Sequence, residues 1–260
     1  MATARTPERL PAFFDELAAW AAERDEGPET VRYGAHPDQQ LDLRLPRTSG
    51  PQPLAVVLHG GFWRAPFTKR NTAALAVALS GAGWATANVE YRRPGPGGWR
   101  ALLDDVAAAA AAVGRRPDVA VGHSAGGQLA LWLAARGDVA AAVALAGVSD
   151  LVGAAVARLG ADAVQELLGG EPDEEPAAYA EADPAQRLPF GVPQLLVHGA
   201  DDDRVPISLS RTYEDRARAA GDDCRILELA ATDHFDVIDP RHSAWAETRD
   251  AIAAVAQRGT

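Results

Sequence analysis

The chain has one cysteine and one lysine among its 260 residues. A single cysteine, Cys224, excludes an intramolecular disulfide and any metal cluster built on cysteines. It reads as a small buried apolar residue in a strand. No apolar run reaches the length of a membrane-spanning helix. The segment Met1 to Arg9 lacks the apolar core of a signal peptide. The expectation is a soluble, cytoplasmic protein with no membrane partner. Positive charge is also short: the formal net charge is −11. Phosphate binding needs clustered Lys and Arg, so nucleic acid is excluded as a main partner. Lys69 is the only lysine beside abundant arginine and alanine, a usage that reflects genome base composition rather than function.

What is present is a core. Hydrophobic residues make up 47% of the chain, and this length suits one undivided α/β domain over residues 1–260. Helical spacing of Phe13, Phe14, Leu17 and Trp20 predicts a helix over 10–22, lying on the body. Short strands are expected at 31–33 and 41–45, followed by a Pro/Ser/Gly connection from Pro46 to Pro53. The run Leu54-Ala55-Val56-Val57-Leu58 is apolar on both faces, as in a buried strand. Strands are then expected at 84–89, 119–121, 139–145, 194–197 and 225–229. Helices are expected at 70–80, 99–113, 207–220 and 243–255, with another directly after the strand at 119–121. This alternation predicts a mostly parallel twisted sheet with helices on both faces. Residues 149–192 break the rhythm. With helix-like stretches at 161–168 and 177–182, they read as a small helical cap inserted over the site, as against an ordinary solvated connection.

Three motifs carry chemistry. Gly122-His123-Ser124-Ala125-Gly126, extended by Gly127, lies between an apolar strand and a helix. A serine on so sharp a turn has its hydroxyl lifted above the sheet, beside the positive end of a helix dipole. Ser124 is therefore the candidate nucleophile. Such a serine needs a histidine base oriented by a carboxylate, following in the order Ser, Asp, His. After the strand at 194–197 comes Asp201-Asp202-Asp203-Arg204-Val205-Pro206, and the Asp-x-x-Val-Pro register selects Asp202. Asp201 and Asp203 read as solvated or turn-forming. After the last strand comes Asp233-His234-Phe235, making His234 the base. His36 and His242 read as surface residues, and His59, His123 and His198 as structural hydrogen-bonding groups. The third motif, His59-Gly60-Gly61-Phe62-Trp63, follows the first buried strand. Its backbone N–H groups at Gly61 and Phe62, with that of Ala125, are the expected oxyanion donors. Trp63 either lines a substrate pocket or packs beneath the oxyanion loop.

These motifs, in this order, resemble the α/β-hydrolase fold family across nearly the whole chain. His59-Gly60-Gly61-Phe62-Trp63 resembles the kynurenine formamidase (arylformamidase) and small esterase branch. Val89-Glu90-Tyr91-Arg92 resembles the corresponding segment of esterases and prolyl-oligopeptidase-like hydrolases. The chain departs from hormone-sensitive-lipase-like esterases: Phe62 stands where they carry a third glycine, and His123 where they carry Asp before the nucleophile.

The expected function is a serine hydrolase that cleaves a small-molecule carboxylic ester, or an activated amide or formamide, through an acyl-enzyme on Ser124. No metal or organic cofactor is required by that chemistry. An exopeptidase-like hydrolase or an acyltransferase with the same three residues is the alternative. A binding protein that kept the fold and lost the chemistry is the remaining reading, disfavoured by the presence of all three residues.

Overall fold

A computed structural model of the chain describes residues 6–46, 50–93, 95 and 97–259. Part of the expected connection from Pro46 to Pro53, and residues 1–5, lie outside the described residues. Eight strands form one sheet among the described residues: β1 (Glu29–Arg32), β2 (Gln40–Arg44), β3 (Leu54–Leu58), β4 (Ala85–Val89), β5 (Val119–His123), β6 (Ala142–Leu145), β7 (Gln194–Gly199) and β8 (Cys224–Leu229). Their spatial order is β1-β2-β4-β3-β5-β6-β7-β8. The pairings from β4 across to β8 are parallel, whereas β1 and β2 join antiparallel at one edge.

Nine α-helices accompany the strands among the described residues: α1 (Leu10–Ala22), α2 (Ala73–Gly81), α3 (Trp99–Ala112), α4 (Ala125–Ala135), α5 (Leu151–Val156), α6 (Ala163–Leu168), α7 (Pro176–Ala182), α8 (Ile207–Ala219) and α9 (Trp245–Gly259). The expected helix from 70 begins as a 3-10 turn, Lys69–Thr72. The short α5 was not anticipated. Its start depends on Asp150, whose side chain accepts from the Gly153 N–H at 2.8 Å, a cap that stabilises so short a helix by roughly 1 kcal/mol.

Both sheet faces are buried, which explains why β3 has no polar face. Val56 and Leu58 point into a core shared with α3, α4 and α8, and Ala55 and Val57 into one shared with α1, α2 and α9. Cys224 is buried in β8, where loss of solvent pushes its thiol up to about 12. It behaves as a small apolar side chain.

The order of the strands determines where a site can form. From β3 the chain passes to β4 on one side, then returns to β5 on the other. Loops leaving β3 and β5 therefore diverge and open a crevice at the carboxyl ends of the strands, where ligands bind in open α/β sheets. The register Leu58↔Gly122 brings the ends of β3 and β5 level.

Candidate active site

Ser124 sits where β5 stops and α4 starts, with φ 55 and ψ −118. That conformation is strained for any residue with a Cβ, by about 1–3 kcal/mol, and is sustained only by tight surroundings. The surroundings are backbone. A Cβ on Gly122 would run into the Gly126 carbonyl, and one on Gly126 into the Leu58 and His59 carbonyls. Glycine at both positions lets β5 fold back onto α4 and lets α4 press against the end of β3. Ser124 N–H is held by Leu145 O at 2.9 Å, so the turn is pinned to the neighbouring strand.

His234 comes from the loop after β8, Asp202 from the loop after β7. The two loops are laced together by backbone hydrogen bonds, Ala200 N to Leu229 O at 2.8 Å and Asp201 N to Thr232 O at 3.0 Å. His234 Nδ1 lies 2.8 Å from Asp202 Oδ2. Facing a carboxylate, Nδ1 carries the proton of the neutral ring, which leaves Nε2 as the acceptor. Asp202 is fully buried. Its other oxygen accepts from the N–H groups of Arg204 and Val205 at 2.8 and 2.9 Å. Burial alone pushes this carboxyl up. Hydrogen bonds from His198 and His234 outweigh burial and hold it well below the usual carboxylate range. Asp202 is thus a permanently ionised group. Asp201 and Asp203 are solvent-exposed.

Ser124 and His234 line one small cavity of about 40 Å3, together with Gly60, Gly61 and Phe62. No hydrogen bond joins the two side chains among the described residues. Gly60 approaches so closely that a Cβ there would crowd the His123 carbonyl and Ser124 Cβ. Gly61, Phe62 and Trp63 all have positive φ, at 115, 54 and 55°. Among the described residues, neither Gly61 nor Phe62 donates its backbone N–H to a protein acceptor. Ala125 opens α4, where N–H groups have no intrahelical partner. Gly61 and Phe62 line the cavity with Ser124, and Ala125 follows it in the chain.

The loop after β3 is stiffened from below. His59 Nε2 donates to Glu90 Oε1 at 3.0 Å, Tyr91 Oη donates to His59 O at 2.7 Å, and the His59 and Tyr91 rings stack 4.2 Å apart. Glu90 also accepts from Lys69 N–H and contacts Arg93. Trp63 is buried and its indole donates to Gln128 Oε1 at 3.1 Å. It lines a neighbouring cleft of about 280 Å3 with Phe62 and Arg93, not the cavity that holds Ser124. The helices of residues 149–192 do not line that cavity either. They meet the loop from the side: Arg64 donates to Gly160 O and Ala161 O at 2.9 and 3.1 Å and to Glu166 at 2.7 Å.

Sequence reasoning gave His123 and His198 structural hydrogen-bonding roles, as the structure shows, without naming their partners, and it missed the contribution of α1. His123 Nε2 donates to the His234 carbonyl at 2.9 Å, and the two rings lie 4.8 Å apart. Burial, reinforced by His234, pushes His123 down from 6.5 to about 3, so it stays neutral. Its position directly before Ser124 was the available signal. His198 shares Asp202 Oδ2 with His234, and the adjacent Asp-x-x-Val-Pro motif pointed towards it. Leu10 and Phe14 of α1 also line the cavity, and nothing local in the sequence says which part of the sheet that helix covers. A larger cavity, about 860 Å3, is an open depression beside β2, bounded by Trp20, Arg44 and Trp245.

Sheet order, crossovers and the strand–serine–helix turn define an α/β-hydrolase. Residues 101–256 match the model of the prolyl oligopeptidase family, to which the chain belongs. It is similar to esterase LipC of Mycobacterium tuberculosis, with 28% identity over 241 residues, 80% of this chain and 60% of the relative. The chain thus spans about 60% of the length of that relative. Among solved structures, it resembles the propionate-bound esterase Est2 of Thermogutta terrifontis: TM-score 0.69, 21% identity, 88% of this chain and 93% of the other. It also resembles a truncated carbohydrate esterase from gut microbiota: TM-score 0.74, 19% identity, 89% of this chain and all of the other. The structural likenesses concern the fold. The resemblance to the formamidase branch finds no specific counterpart among these proteins.

Proposed function

We propose that the chain is a serine hydrolase that cleaves carboxylic esters through an acyl-enzyme on Ser124. The observation that carries this reading is the 2.8 Å contact of buried Asp202 with His234, whose ring shares a cavity with a serine held at positive φ. Ser124 Oγ attacks the carbonyl carbon as its proton passes to His234 Nε2. Approach of substrate closes the gap between the two side chains, as such bonds commonly tighten in the Michaelis complex. The tetrahedral oxyanion accepts from the N–H groups of Gly61, Phe62 and Ala125. Collapse breaks the ester C–O bond, and the leaving alkoxide takes the proton from His234. Water then gives a proton to His234 and attacks the acyl carbon. Ser124 leaves with that proton, and the carboxylic acid is released. Asp202 keeps the imidazole in the required tautomer and stabilises its charged form.

In the same reading, residues 1–260 form a single domain, and residues 149–192 are a cap-like insertion that braces the oxyanion loop through Arg64. Formamide hydrolysis is a second reading, favoured by the small cavity, which admits a formyl group. The similarity to LipC supports the ester. Ser124→Ala is expected to lower kcat/KM for p-nitrophenyl acetate at least a thousandfold (order of magnitude, roughly 10³ or more) with the fold intact. Unchanged turnover would falsify the role of Ser124. A panel of short esters, N-formyl aryl amines and aminoacyl anilides separates the ester, formamide and exopeptidase readings.

A further inference from the structure

The cavity at Ser124 is closed on one side by a helix that comes from outside the sheet alternation. Leu10 and Phe14 of α1 line it, opposite Gly60 and Gly61. Phe14 is buried, and its ring meets Phe235 edge-on with centroids 5.8 Å apart. Phe235 in turn stands edge-on to the His234 ring at 4.9 Å. One aromatic chain therefore runs from α1 to the base. Phe13 packs against both Phe14 at 5.5 Å and Phe235 at 6.0 Å and does not line the cavity.

What holds α1 there is apolar burial. Phe13, Phe14, Leu17 and Ala21 are buried together against α2 and the last helix. The helix also forms ion pairs, Asp15 with Arg70 at 2.7 Å and Glu16 with Arg241 at 3.5 Å. Such exposed pairs contribute little. Burial of two phenylalanines and a leucine contributes far more. The helix is therefore a fixed wall, and the space it leaves is small. The cavity of about 40 Å3 is far smaller than the roughly 300–1,000 Å3 of sites that take drug-sized ligands.

We infer that Phe14, supported by Leu10, is the end wall of the acyl pocket and restricts the enzyme to esters of short acyl groups, of acetyl or propionyl size. The inference rests on the serine-hydrolase reading and adds the substrate class to it. Longer acyl chains meet the Phe14 ring, and each methylene that a pocket cannot place reduces kcat/KM by about tenfold or more.

The test measures kcat/KM for p-nitrophenyl acetate, butyrate and octanoate in the wild type, Phe14→Ala and Phe13→Ala. The wild type is expected to favour acetate over octanoate by about tenfold or more, and Phe14→Ala to raise the octanoate-to-acetate ratio by about tenfold. Phe13→Ala loosens the same helix without enlarging the cavity, and its ratio is expected to stay within about twofold of wild type. Equal rates on all three esters in the wild type overturn the inference. So does an unchanged ratio in Phe14→Ala, or an equal rise in Phe13→Ala, which would show displacement of α1 rather than a wall. Phe14→Leu covers a failure of the alanine variant to fold; it is expected to raise the butyrate-to-acetate ratio, and an unchanged ratio overturns the inference. Labelling with a fluorophosphonate, which bonds Ser124 Oγ and expels fluoride, separates the two levels. A labelled wild type without chain-length selection refutes the wall alone. An unlabelled one refutes the hydrolase reading and the wall with it.

Discussion

His198 Nε2 lies 3.1 Å from Asp202 Oδ2, the same oxygen that accepts from His234 Nδ1. His198 Nε2 also faces Val205 O at 2.9 Å, so this nitrogen carries the ring proton, and Nδ1 accepts from Ser210 Oγ at 2.8 Å. Asp202 is oriented by one histidine while it orients another. His198→Leu removes that donor and leaves Ser210 and Val205 O without partners in a fully buried place. The expected cost is about 1–3 kcal/mol for each buried group left unpaired. Urea denaturation measures it. In parallel, kcat/KM on a short ester is expected to fall by about tenfold, with partial recovery in His198→Gln, whose amide can still donate. Loss of stability with no change in kcat/KM, or no recovery in the glutamine variant, would limit His198 to a structural role.

Strain at Ser124 is measurable by itself. Its φ of 55 and ψ of −118 suit glycine better than any residue with a Cβ. Ser124→Gly is therefore expected to be more stable than Ser124→Ala by about 1 kcal/mol or more, strain adding to the ordinary preference for glycine over alanine at a helix N-cap. Both variants are expected to lose fluorophosphonate labelling. Thermal or urea unfolding decides the order, and a more stable alanine variant contradicts the strain.

Acid sensitivity follows from His123. Its ring is held down from 6.5 to about 3, so between those values the unfolded chain binds a proton that the fold rejects. Stability contributed by the neutral ring is present above 6.5 and is lost as pH falls towards 3. Asp183 acts in the opposite sense: burial pushes its carboxyl from 3.8 up to about 6, so its contribution declines as pH rises through that window. That background is common to wild type and His123→Asn. The wild-type urea midpoint is expected to drop more steeply from pH 7 to 4 than that of the variant. Parallel curves would show that His123 takes up its proton without cost.

Arg64 joins the loop after β3 to the segment that follows β6. Arg64→Met keeps the apolar stem and removes the contacts with Gly160, Ala161 and Glu166. Because the pair with Glu166 is about one-third exposed, stability is expected to change by less than about 1 kcal/mol. Under the proposed mechanism the effect belongs in kcat, lowered by about tenfold with KM nearly unchanged, because the proposed donors at Gly61 and Phe62 would act mainly in the transition state. Initial-rate kinetics give the split, and an unchanged kcat removes the brace.

Much of this molecule is local and was legible as such. The buried strand at 54–58, the Gly122–Gly126 turn and the Asp-x-x-Val-Pro register depend on neighbours in the chain, because turn sterics and strand burial act over a few residues. That local chemistry determined which serine stands on a strained turn, and placed one aspartate and one histidine after strands that a parallel sheet aligns at the same edge. Boundaries shifted where tertiary contacts compete, as at residues 139–141, which precede β6 rather than extending it. Only the tertiary structure decided which groups complete the site. His123 meets His234 across 111 residues, and α1 lays Phe14 against Phe235 from the far end of the chain. The first contact depends on how the sheet aligns the ends of distant strands, the second on how a helix packs over the sheet. Packing is decided by the fit of whole apolar faces, and an amphipathic helix carries its buried face in its sequence but not the identity of what it will cover.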